Sequence, residues 1–271
     1  MTAWSKFLPL HGKPPSALSI GLMVFLPFLF LLNKLIPIND KMSLSPKSIF
    51  NLGRLSNYPL IHLSLTHLIF NMLALFGPLN IFEAQHGTVH TGVFLNLSAL
   101  LSGLMYCIVG KLIYPDVSVA GASGWCFTLF GYFSVKESTV NPRYEIRGTS
   151  YSFPTLYMPF VMLVFISLII PGASFWGHLF GLLVGYFIGF KESLFSKLMP
   201  PSWIIIKIEA KLDRLIKLIP SWVKYYKEED MTGRSTTEYT SIFGTNLSLP
   251  LHTTDHQTSN SSGRVLGTAQ S

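Results

Sequence analysis

The sequence predicts an all-α, polytopic membrane protein, and three observations predict it. Of its 271 residues, 49% are hydrophobic and only 12% are charged, where an ordinary soluble domain carries roughly 25% charged residues. Mean hydropathy is +0.43. The apolar residues gather into six runs, the fourth and fifth of them short or interrupted, where ~20 residues cross a hydrocarbon core as a helix. Inside those runs, a few polar residues recur at matching depths.

Taken in order, the runs are Ala17–Leu32, Pro59–Phe82, Thr91–Val109, Gly121–Val135, Thr155–Ile170 and Ala173–Phe190. The first begins only after Lys13-Pro14-Pro15, without a cleavage pattern, and reads as a retained span rather than a signal peptide. Pro27, Pro78 and Pro159 fall in or near spans and would loosen helix hydrogen bonding there, which a membrane tolerates when neighbours satisfy the freed groups. Cys107 and Cys126 both sit in apolar runs and read as core residues with no disulfide framework. The net charge of +7 is spread over loops and one amphipathic segment, which points away from nucleic acid and toward a topology signal. With the N-terminus in the cytosol, that side holds Lys6, Lys13, Lys136, Arg143, Arg147 and every basic residue after the last span. The other side holds Lys34, Lys41, Lys47, Arg54 and Lys111. The positive-inside rule therefore places both termini in the cytosol.

In this topology the second, fourth and sixth runs all travel from lumen to cytosol. Ser123, in Gly121-Ala122-Ser123-Gly124, then lies at the start of the fourth, and His178, after Gly177, near the start of the sixth. A serine hydroxyl becomes a nucleophile when an adjacent base takes its proton, and an imidazole is the usual base. His67 lies somewhat deeper in the second run and Asn71 one turn below it, on the same face because they are four apart. With the Ser123 amide at a helix N-terminus, these side chains could stabilise a developing oxyanion. His62, in the same run, suits either this role or a structural hydrogen bond. Small residues such as Gly121 and Gly124 are also common wherever membrane helices pack closely, and Gly181, Gly185 and Gly189 make a small-xxx-small face on the sixth run. Gly131 on the fourth run suits the same contact.

Together, His67-x-x-x-Asn71, Gly121-Ala122-Ser123-Gly124 and Gly177-His178-x-x-Gly181-x-x-x-Gly185 resemble the rhomboid family of intramembrane serine proteases. The stretches Pro59 to Leu65, Gly87-Thr88-Val89 and Ser174 to His178 look most like its fungal Golgi-type rhomboid protein 2 group. The resemblance implies a six-helix rhomboid bundle with a Ser123 nucleophile and a His178 general base. It implies an oxyanion site of His67, Asn71 and the Ser123 amide, with Gly121, Gly124, Gly181 and Gly185 supporting helix packing. It also implies a Golgi membrane location and cleavage of transmembrane substrates near the luminal side, with neither metal nor cofactor. Phe127 stands where many members stack a tyrosine on the histidine, and the first luminal loop has Arg54 where many carry a Trp-Arg pair. Glu83 matches an acidic position read as structural.

The expected organisation is a cytosolic N-terminus (1–16), a six-span membrane domain (17–190), a basic amphipathic juxtamembrane segment (191–230) and a disordered cytosolic tail (231–271). In the third of these, Pro201 to Trp222 reads as an interfacial helix with Ile205, Ile208, Leu212, Leu215, Ile216 and Ile219 on one face and Lys207, Lys211, Arg214 and Lys217 on another. The tail is rich in Ser, Thr, Asn and Gly. Its short apolar pieces, such as Ile242-Phe243-Gly244, could engage a cytosolic partner, and its acceptor patterns at Asn246 and Asn260 stay unused if it is cytosolic. The competing reading is a catalytically silent rhomboid-like protein that binds transmembrane helices as an adaptor. Keeping Ser123, His178 and the oxyanion groups argues for the enzyme. A transporter would want paired charges or broken repeats at mid-membrane.

Overall fold

The computed structural model describes residues 14–145, 149–170, 172–232 and 242. Most of the predicted N-terminal segment and tail, with both acceptor patterns, lies outside the described residues. In chain order come α1 (Ala17–Leu32), α2 (Ile38–Met42), α3 (Leu52–Asn57), α4 (Leu65–His86), α5 (Thr88–Ile113) and α6 (Ser123–Val140). An antiparallel hairpin of β1 (Arg143–Glu145) and β2 (Ser152–Pro154) follows, then α7 (Met158–Ile169), α8 (Phe175–Phe190), α9 (Glu192–Phe195), α10 (Ser202–Ile216) and α11 (Glu228–Thr232). The hairpin pairs Tyr144 with Phe153.

By length and composition, α4 and α5 are each able to cross a membrane. The bent pair Phe175–Phe190 and Glu192–Leu198, turning through 99°, can be counted as a third span. α1 and the stretch Thr155–Ile169 are apolar but shorter. α6 has 18 residues and carries Lys136 and Glu137 near its end.

α6 occupies the centre. Its residues from Gly124 to Leu129 and from Gly131 to Val135 are buried whichever way they face, as expected of a helix covered on all sides. Around it, Phe82 of α4 packs on Phe94 of α5 with ring centroids 4.2 Å apart and on Tyr132 of α6 at 5.3 Å. Trp125 Nε1 donates to the Leu95 carbonyl at 2.8 Å, tying α6 to α5. α4, α6 and α8 run in the same direction, because their contacts rise together along the chain. Asn71 meets Cys126 while Phe82 meets Tyr132, and Gly181 meets Gly124 while Gly185 meets Thr128. The equal parity expected of the second, fourth and sixth runs thus appears as parallel packing.

Element boundaries differ from expectation where capping decides them. The second run forms a helix only from Leu65, because the Ser64 hydroxyl accepts the His67 amide and fixes the helix start there. The preceding Tyr58–Leu60 makes a 3-10 turn, so His62 lies in a connection outside the helix. Pro159 falls in the first turn of α7, where its missing N–H costs nothing; Pro27 and Pro78 are inside α1 and α4.

At the other end of the bundle, Glu83 accepts from the amides of Leu18 and Ser19 at 2.8 and 2.9 Å and from the hydroxyls of Ser19 and Thr88. A buried carboxylate thereby caps the N-terminus of α1, where orphan amides and the helix dipole favour negative charge. This is the structural role expected of it. Beyond α10 the chain turns back under the bundle. Ala17 N donates to Lys224 O at 2.9 Å, Lys224 N to Pro15 O at 2.8 Å and Thr88 N to Tyr226 O at 2.9 Å. Glu209, on the buried side of α10, accepts from Tyr225 Oη and the Glu228 amide. The segment after the last span is thus stitched to α1 and to the α4–α5 turn, and Ile242 also packs against the main core.

Candidate active site

The site is built where the chain enters α6. Gly121 has φ +114°, a conformation that L side chains avoid, and its amide donates to the Tyr58 carbonyl at 2.9 Å. A Cβ at this position would lie 2.5 Å from His67 Cε1, 2.8 Å from His67 Nε2 and 3.3 Å from Asn71 Nδ2. Both conformation and space therefore require glycine. The next amide, of Ala122, donates to His62 Nε2 at 3.3 Å. Two bonds from the α3–α4 connection thus hold the turn that delivers Ser123 as the first residue of α6. At that position the Ser123 N–H precedes any intrahelical acceptor. The serine is half-buried.

α4 supplies the opposing wall. The close approach of Gly121 to both His67 and Asn71 shows that these two side chains, one turn apart, face the entrance to α6 together. Asn71 is buried, and its Nδ2 has no hydrogen-bond partner among the described residues. His62 and His67 meet edge to face at 5.2 Å.

α8 supplies the imidazole. Its N-cap Ser174 accepts the Gly177 amide at 3.1 Å, and His178, 5% exposed, completes the first turn. The His178 ring stacks on Phe127 with centroids 4.7 Å apart and planes at 24°. Phe127 is four residues after Ser123 and therefore on the same face of α6, so the imidazole is laid against the serine-bearing face. The phenyl ring fulfils the stacking role without a hydroxyl. Nδ1 of His178 is buried, with no partner among the described residues.

What brings α8 this close is the glycine seam. A Cβ on Gly181 would stand 2.5 Å from the Gly124 carbonyl oxygen, and one on Gly185 would collide with the Thr128 carbonyl. Gly131 offers the reciprocal space, since a Cβ there would lie 2.8 Å from Leu182 O. Thr128 Oγ1 bridges the seam, 2.9 Å from Gly124 O and 3.0 Å from Gly181 O. Gly189 packs against the Val135 side chain.

The structure thus gathers Ser123, His178, His67 and Asn71 at one end of three parallel helices, with Gly121, Gly124, Gly181 and Gly185 at the close approaches. Sequence reasoning left the role of His62 open and missed Tyr58; the structure shows both holding the turn before Ser123. The Tyr58 contact uses a backbone carbonyl, which leaves no side-chain signal to read. In chemical terms, the arrangement is a hydroxyl, an imidazole and two side-chain donors at a largely buried junction of three helices, the parts list of acyl transfer.

The Rhomboid domain family model matches residues 50–195. The chain is 56% identical over 268 residues to the rhomboid-type serine protease 2 of Saccharomyces cerevisiae, covering 98% of this chain and 99% of that protein. It is 49% identical over 266 residues to the protein of that name from Eremothecium gossypii, covering 97% and 99%. Against the one from Kluyveromyces lactis it is 48% identical over 268 residues, covering 96% and 97%.

Proposed function

Since this chain belongs to the rhomboid family of serine proteases, we propose that it cleaves transmembrane segments of membrane-anchored proteins, with Ser123 as nucleophile and His178 as general base. Ser123 Oγ attacks the scissile carbonyl while His178 takes its proton. The tetrahedral oxyanion is met by the Ser123 amide and the side chains of His67 and Asn71. His178 then returns the proton to the leaving amine, and a water, deprotonated by the same ring, hydrolyses the acyl-enzyme. The observation that carries this reading is the His178 ring lying on Phe127, one helical turn from Ser123 on the same face. The unpartnered Asn71 Nδ2 beside that face supports its use as an oxyanion donor.

The substrate helix has to unwind at the scissile bond, because helical neighbours shield a peptide carbonyl. Helix-weakening Gly or Pro near the cut marks a good substrate. In the layout that goes with this reading, α1, α4, α5, α6, α7 and α8 are the six spans of a membrane domain over residues 17–190, in the Golgi membrane with both termini cytosolic. Cleavage falls near the luminal side. α10, in the basic segment 191–230, lies along the cytosolic face, its exposed Ile208, Leu212 and Leu215 toward the bilayer. A cytosolic partner is met by the tail, 231–271.

The test is covalent labelling of purified protein by a fluorophosphonate probe. The wild type labels, and both Ser123→Ala and His178→Ala abolish labelling. A folded wild type that never labels returns the chain to the reading of a silent helix-binding adaptor.

A further inference from the structure

His178 has no carboxylate to orient it, and its Nδ1 makes no hydrogen bond among the described residues. In a serine–histidine–aspartate triad that second bond holds the imidazole in register. Stacking on Phe127 fixes the plane of the ring, but not how deep the first turn of α8 sits beside Ser123. That turn is a helix end, preceded by Gly172 at φ +79° and capped by a single side-chain bond from Ser174.

We propose that Trp176 is the positioning residue that sets this depth. It lies two residues before His178, and its indole stacks on Phe180 of α8 (5.9 Å, 25°) and on Tyr114 past the end of α5 (5.9 Å, 28°). Tyr114 cannot slide. Its ring packs 4.9 Å from that of Tyr106, its hydroxyl donates to the Tyr106 carbonyl at 3.3 Å, and it fills the space over Gly110, where a Cβ would come within 2.5 Å of it. Tyr106 is fixed in turn by donating to the Val117 carbonyl at 3.2 Å, in the chain leading to Ser123. The four rings Phe180, Trp176, Tyr114 and Tyr106 form a brace from the first turns of α8 to α5. The same turn lies against the loop before Ser123, where a Cβ on Gly177 would stand 3.1 Å from Val119 Cγ2, a side-chain contact that can yield. The brace fixes the axial position of the imidazole by packing, the task a carboxylate performs elsewhere by hydrogen bonding.

This inference rests on the reading of His178 as the base, and the experiment separates the two. The rate of fluorophosphonate labelling is measured against pH for the full-length wild type, Trp176→Ala, Trp176→Leu, Trp176→Phe and Leu26→Ala, with thermal unfolding of each. Leu26→Ala is a fully buried control on α1 that loses stability without touching α8. If the wild type does not label, the dyad reading fails. If it labels, Trp176→Ala and Trp176→Leu are expected to label ~10- to 100-fold more slowly, since a displacement near 1 Å costs about that much. Their pH–rate midpoint moves, Trp176→Phe restores most of the rate, and Leu26→Ala keeps the wild-type rate and midpoint. Labelling by Trp176→Leu within about twofold of wild type, or a loss with an unmoved midpoint that Phe does not rescue, overturns the role of Trp176. Trp176→Leu preserves bulk without the ring, so it decides the matter even if the alanine variant fails to fold.

Discussion

Substituting Gly181 by alanine tests the seam on which the site depends. The new Cβ would stand 2.5 Å from Gly124 O, 3.1 Å from Gly124 Cα and 3.2 Å from Gly124 C. Ordinary contact begins at 3.4 Å, so the shortest of these is about 0.9 Å too close. Every one of those atoms is backbone, so no rotamer change relieves the clash and the helices must part. The Thr128 bond to Gly181 O, now 3.0 Å, is stretched by the same motion. Alanine gains ~1 kcal/mol in helix propensity over glycine, against roughly 1–3 kcal/mol for overpacking and about 1 kcal/mol for the hydrogen bond. The net is a loss of roughly 1–3 kcal/mol, and the rate falls by up to ~100-fold because the imidazole retreats from the serine by nearly 1 Å. Gly177→Ala is the matched comparison. Its nearest neighbours are side-chain atoms of Ser174 and Val119 at 3.1 Å, which can yield, so it is expected to label normally and melt no lower. Thermal unfolding in detergent and the labelling rate read both variants. A Gly181→Ala protein indistinguishable from wild type in both would refute the claim that close α6–α8 contact makes the site.

Three further outcomes follow from the other end of the bundle. Glu83→Ala strips the Leu18 and Ser19 amides of their acceptor and lowers stability, at roughly 1–3 kcal/mol for each buried donor left unpaired; thermal unfolding beside Glu83→Gln, which keeps one acceptor oxygen, measures it. Partial burial pushes the Glu192 carboxyl up, but its hydrogen bonds and attraction to His86 and Lys136 prevail and hold it down at about 2. A depressed carboxylate stabilises the fold above its ordinary value of 4.5 and loses that contribution as pH falls toward 2. The unfolding midpoint of wild type should therefore exceed that of Glu192→Gln at neutral pH, and the gap should close over that interval. Ending the chain at Pro200 removes the bonds that Lys224 and Tyr226 make to Pro15, Ala17 and Thr88. Although these residues lie beyond the matched Rhomboid region, the shortened protein should melt at a lower temperature than the full chain; equal melting would show that the strap adds nothing.

The composition and spacing carried much of this in advance. Six apolar runs located the helices of the bundle, because helix formation in hydrocarbon is dictated by apolar length. His67, Asn71, Ser123 and His178 could be singled out because polar groups inside such runs are costly and few. Even the glycine face of α8 was legible as a repeat. Boundaries were less so. Ser64 starts α4 six residues later than hydropathy suggests, since a cap acts through one hydrogen bond that leaves no trace in hydropathy. α6 shows little facial asymmetry because it is buried on every side, and its central place could only be seen once its neighbours were assembled.

The sequence by itself determined a helical membrane bundle, the polar residues that stand out as a candidate site and the common direction of the helices that bear them, because each follows from local composition and the period of the helix. Tertiary structure alone decided that Gly181 would meet Gly124 and that Tyr58 and His62 would hold the turn into Ser123. It also decided that the segment after α10 would fold back on α1. These are contacts between residues tens of positions apart, several made through backbone atoms common to every residue type. Which of them form depends on how whole helices pack against one another, and no short stretch of sequence encodes that.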